Sequence, residues 1–184
     1  PISAGIFILA KPIILLAFSE KYLDSVPSLQ ILVFSLIFSF ISFPLGAALN
    51  ASGHEKKQTW LTGFTLITNV IANLIFIPKY GATGAALAAL VGNTLLGTAG
   101  FFLLPKKLKA DFTILGPVII KLGISTGLMV GAVLEIYQVT NNLFLAIGAG
   151  GLTYMIVTWL TGLVKPSEIK QLRFKNQTPT ENSI

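Results

Sequence analysis

Long apolar runs separated by short polar breaks make up most of the chain. Six runs of 17 to 24 residues carry few charges, at positions 2–18, 28–49, 59–77, 81–104, 113–134 and 143–164. A helix needs roughly 20 apolar residues to cross the hydrocarbon core of a bilayer, whereas a barrel strand is about ten residues of alternating polarity. The pattern therefore predicts an all-α, polytopic bundle of about six transmembrane helices, each satisfying its own backbone hydrogen bonds.

The polar breaks carry most of the cations, and they favour one orientation. If connections alternate between the two sides, one side holds Lys56, Lys57, Lys106, Lys107, Lys109, Lys165, Lys170, Arg173 and Lys175. The other side holds only Lys21 and Lys79. Because basic loops stay on the inner side, we expect a multi-pass protein of the cell membrane whose C-terminal tail is cytoplasmic.

Composition agrees with this class. Of 184 residues, 53% are hydrophobic and 11% are charged, against roughly 25% charged in average soluble domains. This excludes an ordinary soluble domain and a disordered chain. The net charge of +6 comes from cations spread between apolar runs, so no nucleic-acid partner is expected.

Catalytic and metal-binding patterns are missing from the sequence. The chain has no cysteine and one histidine, His54, and its carboxylates are scattered over several breaks. It therefore has no paired acid and base, no nucleophile beside a histidine, and no phosphate-binding loop. We expect neither enzymatic activity nor a metal or other cofactor.

Two neighbouring runs each carry a polar stripe at helical spacing. The first stripe consists of Ser35, Ser39, Ser42, Gly46 and Asn50, and the second of Gln58, Thr62, Thr65, Asn69 and Asn73. The stripes could line a hydrated cavity of a transporter, or small and hydroxyl residues could let the helices pack closely. Packing is favoured for serine and threonine, while both alternatives stay open for the two asparagines. Ser39, Ser42, Asn69 and Asn73 are the candidate cavity-lining residues.

Two lysines interrupt apolar runs. Lys11 lies mid-run before Pro12, which predicts a kink. A charge at this depth is costly unless it faces a cavity or a partner, so Lys11 could meet an anionic headgroup. Lys121 lies about eight residues into the fifth run, from where snorkelling to the cytoplasmic interface is favoured, although it remains a second candidate for the cavity. The fifth run also contains Gly123, Gly127 and Gly131, a spacing that predicts close helix packing.

Three segments resemble a known family. Residues 14–22 with 29–32, and residues 48–53, look like recurrent segments of polysaccharide flippases. Residues 69–86 are the most specific, with Asn69, Asn73, Ile77-Pro78, Gly81 and Gly84-Ala85-Ala86 in order. The sequence is thus similar to the polysaccharide biosynthesis and oligosaccharide flippase family of the multidrug/oligosaccharidyl-lipid/polysaccharide exporter superfamily, over roughly residues 12 to 100.

This resemblance implies one part of a two-lobed exporter. Residues 1–104 would be the last four helices of the C-terminal lobe, the first of which could begin upstream of Pro1. Residues 105–164 would be two additional transmembrane helices, and residues 165–184 a polar, basic cytoplasmic tail. Because the chain opens inside an apolar run, we interpret it as a truncation whose partner is the missing N-terminal lobe.

The implied function is transport of lipid-linked oligosaccharide or polysaccharide repeat units across the cytoplasmic membrane by alternating access. The expected partners are this glycolipid, the membrane lipids and the missing lobe, and Lys11 would contact the lipid diphosphate. A drug or cation-coupled exporter of the same fold is disfavoured, because no Asp or Glu lies mid-run. A non-transporting subunit whose glycine-rich faces dock a partner is the third alternative.

Overall fold

A computed structural model describes residues 1–104 and 112–163, and its regular secondary structure there is entirely helical. The elements are α1 (Ile2–Ile8), α2 (Ala10–Ala17), a 3-10 helix (Glu20–Ser25), α3 (Val26–Ala51), α4 (Glu55–Leu103), α5 (Phe112–Thr140) and α6 (Leu143–Leu160). Four stretches of the described chain are long and apolar enough to cross a membrane, namely Glu20–Ala51, Glu55–Leu103, Gly116–Thr140 and Leu143–Leu160. The predicted all-α transmembrane bundle is confirmed. The predicted basic turn at 105–109 and the tail at 165–184 lie outside the described residues.

Helix α4 is two passes folded back on each other. As one straight helix its 49 residues would extend about 74 Å, more than twice the roughly 30 Å hydrocarbon core. Instead the backbone is non-helical at Gly81, with φ 58° and ψ −131°. The chain then reverses so closely that a Cβ at Gly84 would collide with the backbone of Phe76. The predicted runs 59–77 and 81–104 are therefore the first half (55–80) and the second half (82–103) of α4.

The reversal in α4 differs in detail from the predicted turn at 78–80. Helix continues through Pro78 and Tyr80, and the whole change of direction rests on Gly81. A proline near the end of a helix removes one hydrogen bond but need not end it, whereas this combination of φ and ψ suits only glycine. The glycine, and not the proline, sets the boundary.

Helix α3 packs against both halves of α4 through small residues. Ser28 Oγ lies 2.9 Å from Thr83 Oγ1, and near the other end of α3 a Cβ at Gly97 would lie 3.2 Å from Ser42 Oγ. From the first pair to the second, the residue numbers increase in both helices, so α3 runs parallel to the second half of α4. A Cβ at Gly46 would lie 2.9 Å from Gln58 Nε2 of the antiparallel first half. Small side chains at these contacts allow the close approach that stabilises helix pairs in lipid.

The first apolar run is broken, but one turn earlier than the predicted kink. Helix α1 ends at Ile8 and α2 begins at Ala10, with Leu9 at φ −87° and ψ 11° between them. Pro12 has no N–H, and its ring clashes with the carbonyl four residues before it, that of Ile8. Gln30 Nε2 of α3 donates a hydrogen bond of 3.1 Å to the carbonyl of Phe7. That bond satisfies one of the carbonyls that the end of α1 leaves free.

Helices α5 and α6 form a hairpin with a two-residue connection. Helix α5 extends to Thr140, six residues past the predicted end at residue 134, so Glu135 lies within the helix. The side chain of Asn142 accepts hydrogen bonds from the amides of Phe144 and Leu145, at 3.0 and 3.3 Å, and caps α6. This cap lets α6 begin at Leu143, with only two residues between it and the end of α5.

A small buried cluster joins the α5–α6 hairpin to the first run. It consists of Leu9, Met129, Val133 and Ala146. The predicted glycine stripe has no such role, because nothing in the described chain lies within 4 Å of a Cβ built at Gly123, Gly127 or Gly131. The close packing expected of these three glycines is therefore absent from the described residues, and α5 meets α6 on another face.

Candidate functional site

The serine stripe of α3 faces protein. Ser42 is buried and its Oγ donates a 2.7 Å hydrogen bond to the carbonyl of Phe38. Ser35 is also buried, donates to the carbonyl of Leu32 at 2.7 Å, and accepts from Asn93 Nδ2 at 3.3 Å. Ser39, one turn away, is half-buried. The stripe thus packs on the second half of α4 in this conformation, as the packing alternative predicts.

The two asparagines of α4 lie together and hold its two halves to each other. Asn73 Nδ2 donates to Asn69 Oδ1 at 2.7 Å and to the carbonyl of Asn69 at 2.9 Å. Asn69 Nδ2 in turn donates to the carbonyl of Ala88 in the second half, at 3.3 Å. Both side chains are half-buried. An amide that bonds across helices in lipid contributes about 0.6–1.7 kcal/mol, so this chain of bonds stabilises the α4 hairpin.

Thr65 lies one turn before Asn69 on the same stripe, and its hydroxyl is unsatisfied. Its Oγ1 is buried and has no hydrogen-bond partner within the part of the chain that the structure describes. A buried hydroxyl without a partner raises the free energy of the folded state by about 1–3 kcal/mol. We call the polar interface formed by α3 and the two halves of α4 the seam. The seam therefore contains a hydroxyl group that could form a further hydrogen bond beside the asparagine pair.

Lys121 caps the end of α6. Its Nζ donates a 2.8 Å hydrogen bond to the carbonyl of Thr161, which is the C-cap residue of α6. The last carbonyls of a helix lack internal partners and carry partial negative charge, so a cation there is favourable. The snorkelling expected of Lys121 thus has a specific target, namely the end of the neighbouring helix.

Lys11 stands apart from the other candidates. It lies in α2, two residues after the break at Leu9, and its side chain is exposed. Among the described residues it forms neither an ion pair nor a side-chain hydrogen bond. Its predicted contact with an anionic headgroup stays a prediction.

Of the six candidates, the structure joins only Asn69 and Asn73 by hydrogen bonds. Ser39 and Ser42 lie on α3, and the two lysines lie on α2 and α5. Three of the cavities formed by the described residues, of about 300 to 410 Å³, are lined by none of the six. The cavity-lining role of these residues therefore remains a prediction for another conformation or for a larger assembly.

Two polar residues of the second half of α4 belong to the seam but were missed by the sequence analysis. Thr83 bonds to Ser28, and Asn93 bonds to Ser35. Asn93 could have been identified from the sequence, because it is the only amide side chain in the apolar run 81–104. Such a side chain needs partners that lipid cannot supply.

Comparison with known proteins gives partial matches. No protein-family model matches the chain, and no solved structure matches it. It is 33% identical over 103 residues to an uncharacterized membrane protein of Methanocaldococcus jannaschii, covering 54% of this chain and 20% of that protein. It is 27% identical over 149 residues to the uncharacterized membrane protein YabM of Bacillus subtilis, covering 80% and 27%.

A third relative comes from Klebsiella pneumoniae and is described as an uncharacterized membrane protein in cps region. It is 30% identical over 113 residues, covering 58% of this chain and 22% of that protein. The chain thus spans about a fifth to a quarter of the length of these relatives. Together with the four apolar helices, the similarities show that this chain is a helical membrane protein.

Proposed function

We propose that this chain is part of a flippase that moves lipid-linked oligosaccharide or polysaccharide repeat units across the cytoplasmic membrane by alternating access. One observation carries the proposal. Lys11 is a cation inside an apolar segment, exposed and without an ion pair among the described residues. Neither α1 nor α2 is long enough to cross a membrane alone, and we take the two together as one broken pass. A charge in such a pass almost always faces a partner or a water-filled cavity, and marks the path of a substrate or an ion.

The break beside Lys11 fits a place on a transport path. Discontinuous helices in transporters expose backbone groups and lie where substrates bind. The short helices α1 and α2 meet at Leu9, and Lys11 follows two residues later. A lysine ammonium attracts a lipid diphosphate strongly where water is scarce, because the effective dielectric constant there is low.

The hydrogen-bonded seam of α3 and α4 suits a body that moves as one piece. In alternating access, packed helices rock against a second repeat around the binding site. Ser28, Ser35 and Asn69 each bond to the second half of α4, and these bonds keep three passes together. In the proposed transporter the moving surface would then lie between this unit and an N-terminal lobe, and not within the seam.

The Klebsiella pneumoniae relative in a cps region favours the polysaccharide branch of the superfamily that the sequence resembles. A drug or cation-coupled exporter of the same fold would use a buried acid. The acid lying deepest in an apolar helix of the described chain is Glu135, which is exposed and five residues from the end of α5. This placement supports the glycolipid over a coupling cation.

The test replaces Lys11 in the intact protein of a strain whose surface polysaccharide depends on it. Lys11→Gln should lower export about tenfold or more, because a hydrogen bond to a charged group contributes roughly 1.5–3 kcal/mol. Lys11→Arg keeps the charge and should restore most export. Lys21→Gln, in the 3-10 helix that precedes α3, is the matched control. Normal export by Lys11→Gln at normal protein levels would reject the proposal.

A further inference from the structure

A groove of about 410 Å³ opens at one end of the α4 hairpin. Its lining comes from the first three turns of the first half and the last turn of the second half, with Lys56, Lys57, Trp60, Leu61, Phe64 and Leu103. None of these residues belongs to the polar stripes or to the candidate site. The groove therefore needs an explanation of its own.

The lining changes from charged to apolar along the helix axis. Lys56, Trp60 and Phe64 are four residues apart, so they form one row on the helix surface. The row spans about 12 Å at 1.5 Å per residue. Cations come first, an indole follows one turn deeper, and a phenyl ring lies one turn deeper again. A phospholipid has the same order of groups, with a charged headgroup, an interfacial glycerol region and an acyl chain.

The side chains that would touch a lipid are open to it. Trp60 is 80% exposed and Phe64 is 59% exposed, while Leu61 is 7% exposed and forms the floor. An exposed tryptophan at the end of an apolar helix is typical of the membrane–water interface. Both lysines are exposed, and within residues 1–104 and 112–163 no carboxylate forms an ion pair with either. Their charge is available to an external anion.

We propose that this groove binds one anionic phospholipid of the surrounding leaflet. Its phosphate lies between the ammonium groups of Lys56 and Lys57, and its acyl chain lies along Leu61 and Phe64. Charge complementarity identifies the occupant, because a zwitterionic lipid offers no net charge to two unpaired cations. A lipid-linked diphosphate shares the phosphate chemistry and is distinguished by the test below. The site does not depend on the proposed flippase function.

Tryptophan fluorescence provides the measurement. The full protein is reconstituted in phosphatidylcholine vesicles that contain a minor fraction of acyl-brominated phosphatidylglycerol, or the same fraction of acyl-brominated phosphatidylcholine. The Trp60 signal is the difference between the protein and its Trp60→Phe variant. We expect quenching of Trp60 to saturate at a lower content of the anionic lipid. The K56Q/K57Q variant should lose this preference, by about fivefold for each lysine and about 25-fold for the pair.

Matched variants separate this site from general surface charge. K56R/K57R keeps both charges and should keep the preference, and K21Q/K79Q removes two cations elsewhere and should leave it unchanged. Equal quenching by both brominated lipids, or an undiminished preference in K56Q/K57Q, would overturn the proposal. Displacement of phosphatidylglycerol by an equimolar polyprenyl diphosphate would assign the groove to that lipid instead. Loss of quenching on adding inorganic diphosphate would assign it to a free anion.

Discussion

Replacement of Gly84 by alanine should destabilise the α4 hairpin, because the backbones of the two halves lie very close to each other at Gly84, just after the reversal. A Cβ at this position would lie 2.9 Å from the amide nitrogen of Ile77, and closer still to the carbonyl group of Phe76. These are backbone atoms inside a helix, so they cannot rotate away as a side chain could. Relief requires the second half of α4 to shift away from the first.

The magnitude follows from two opposing terms. Overpacking that forces backbone shifts costs typically 1–3 kcal/mol. We use the upper value, about 3 kcal/mol, because the added Cβ would clash with helix backbone. Alanine regains about 1 kcal/mol of helix propensity relative to glycine. The Gly84→Ala variant should therefore lose about 2 kcal/mol in the free energy of unfolding.

Gly63 supplies the matched control within the same helix. A Cβ at Gly63 meets nothing within 4 Å, so Gly63→Ala keeps only the propensity gain of about 1 kcal/mol. Titration of the detergent-solubilised protein with sodium dodecyl sulfate, followed by far-ultraviolet circular dichroism, should separate the two variants by about 3 kcal/mol. Gly92→Ala should fall between them, because its Cβ meets the Asn69 side-chain amide, which can rotate. Equal stabilities for Gly84→Ala and Gly63→Ala would refute the close approach at the reversal.

Two further predictions concern the asparagine pair and the orientation. A double-mutant cycle of Asn69→Ala and Asn73→Ala should give a coupling of about 0.6 kcal/mol in the free energy of unfolding, because the two amides bond at 2.7 Å; strictly additive losses would contradict this bond. The chain contains no cysteine, so Lys57→Cys and Lys79→Cys each introduce one thiol into it. In intact cells a membrane-impermeant maleimide should label position 79 and not position 57, and the opposite pattern would reverse the orientation.

The sequence was sufficient for the class of fold and for the serine face of α3, but not for the packing face of α5. Long apolar runs allow little besides helices in lipid, and the spacing of Ser35 and Ser42 correctly predicted that both share one face. The boundaries needed local geometry. Pro12 clashes with the carbonyl of Ile8, so the break lies at Leu9 and not at the proline. The reversal predicted at 78–80 lies at Gly81.

Partners of the polar side chains could not be predicted, because periodicity shows a face but not the helix that covers it. The bond from Asn69 to Ala88 depends on how the two halves of α4 align after Gly81. The cap from Lys121 to Thr161 depends on the height of α6 relative to α5. For Lys11 the position within the apolar run was evident from the sequence, whereas the exposure of its side chain is known only from the structure.

The one-residue reversal at Gly81 should also affect how the protein is inserted into the membrane. Until residue 88 has been synthesised, Asn69 has no backbone acceptor across the hairpin. Its amide then lacks this hydrogen bond while it is in the translocation channel or in lipid. We expect the two crossings to leave the channel together, as a single pre-formed unit. A nascent chain stopped shortly after Tyr80 would carry the Asn69 amide into the bilayer without its acceptor at Ala88, and membrane quality-control proteases should remove it sooner than a chain stopped after residue 103.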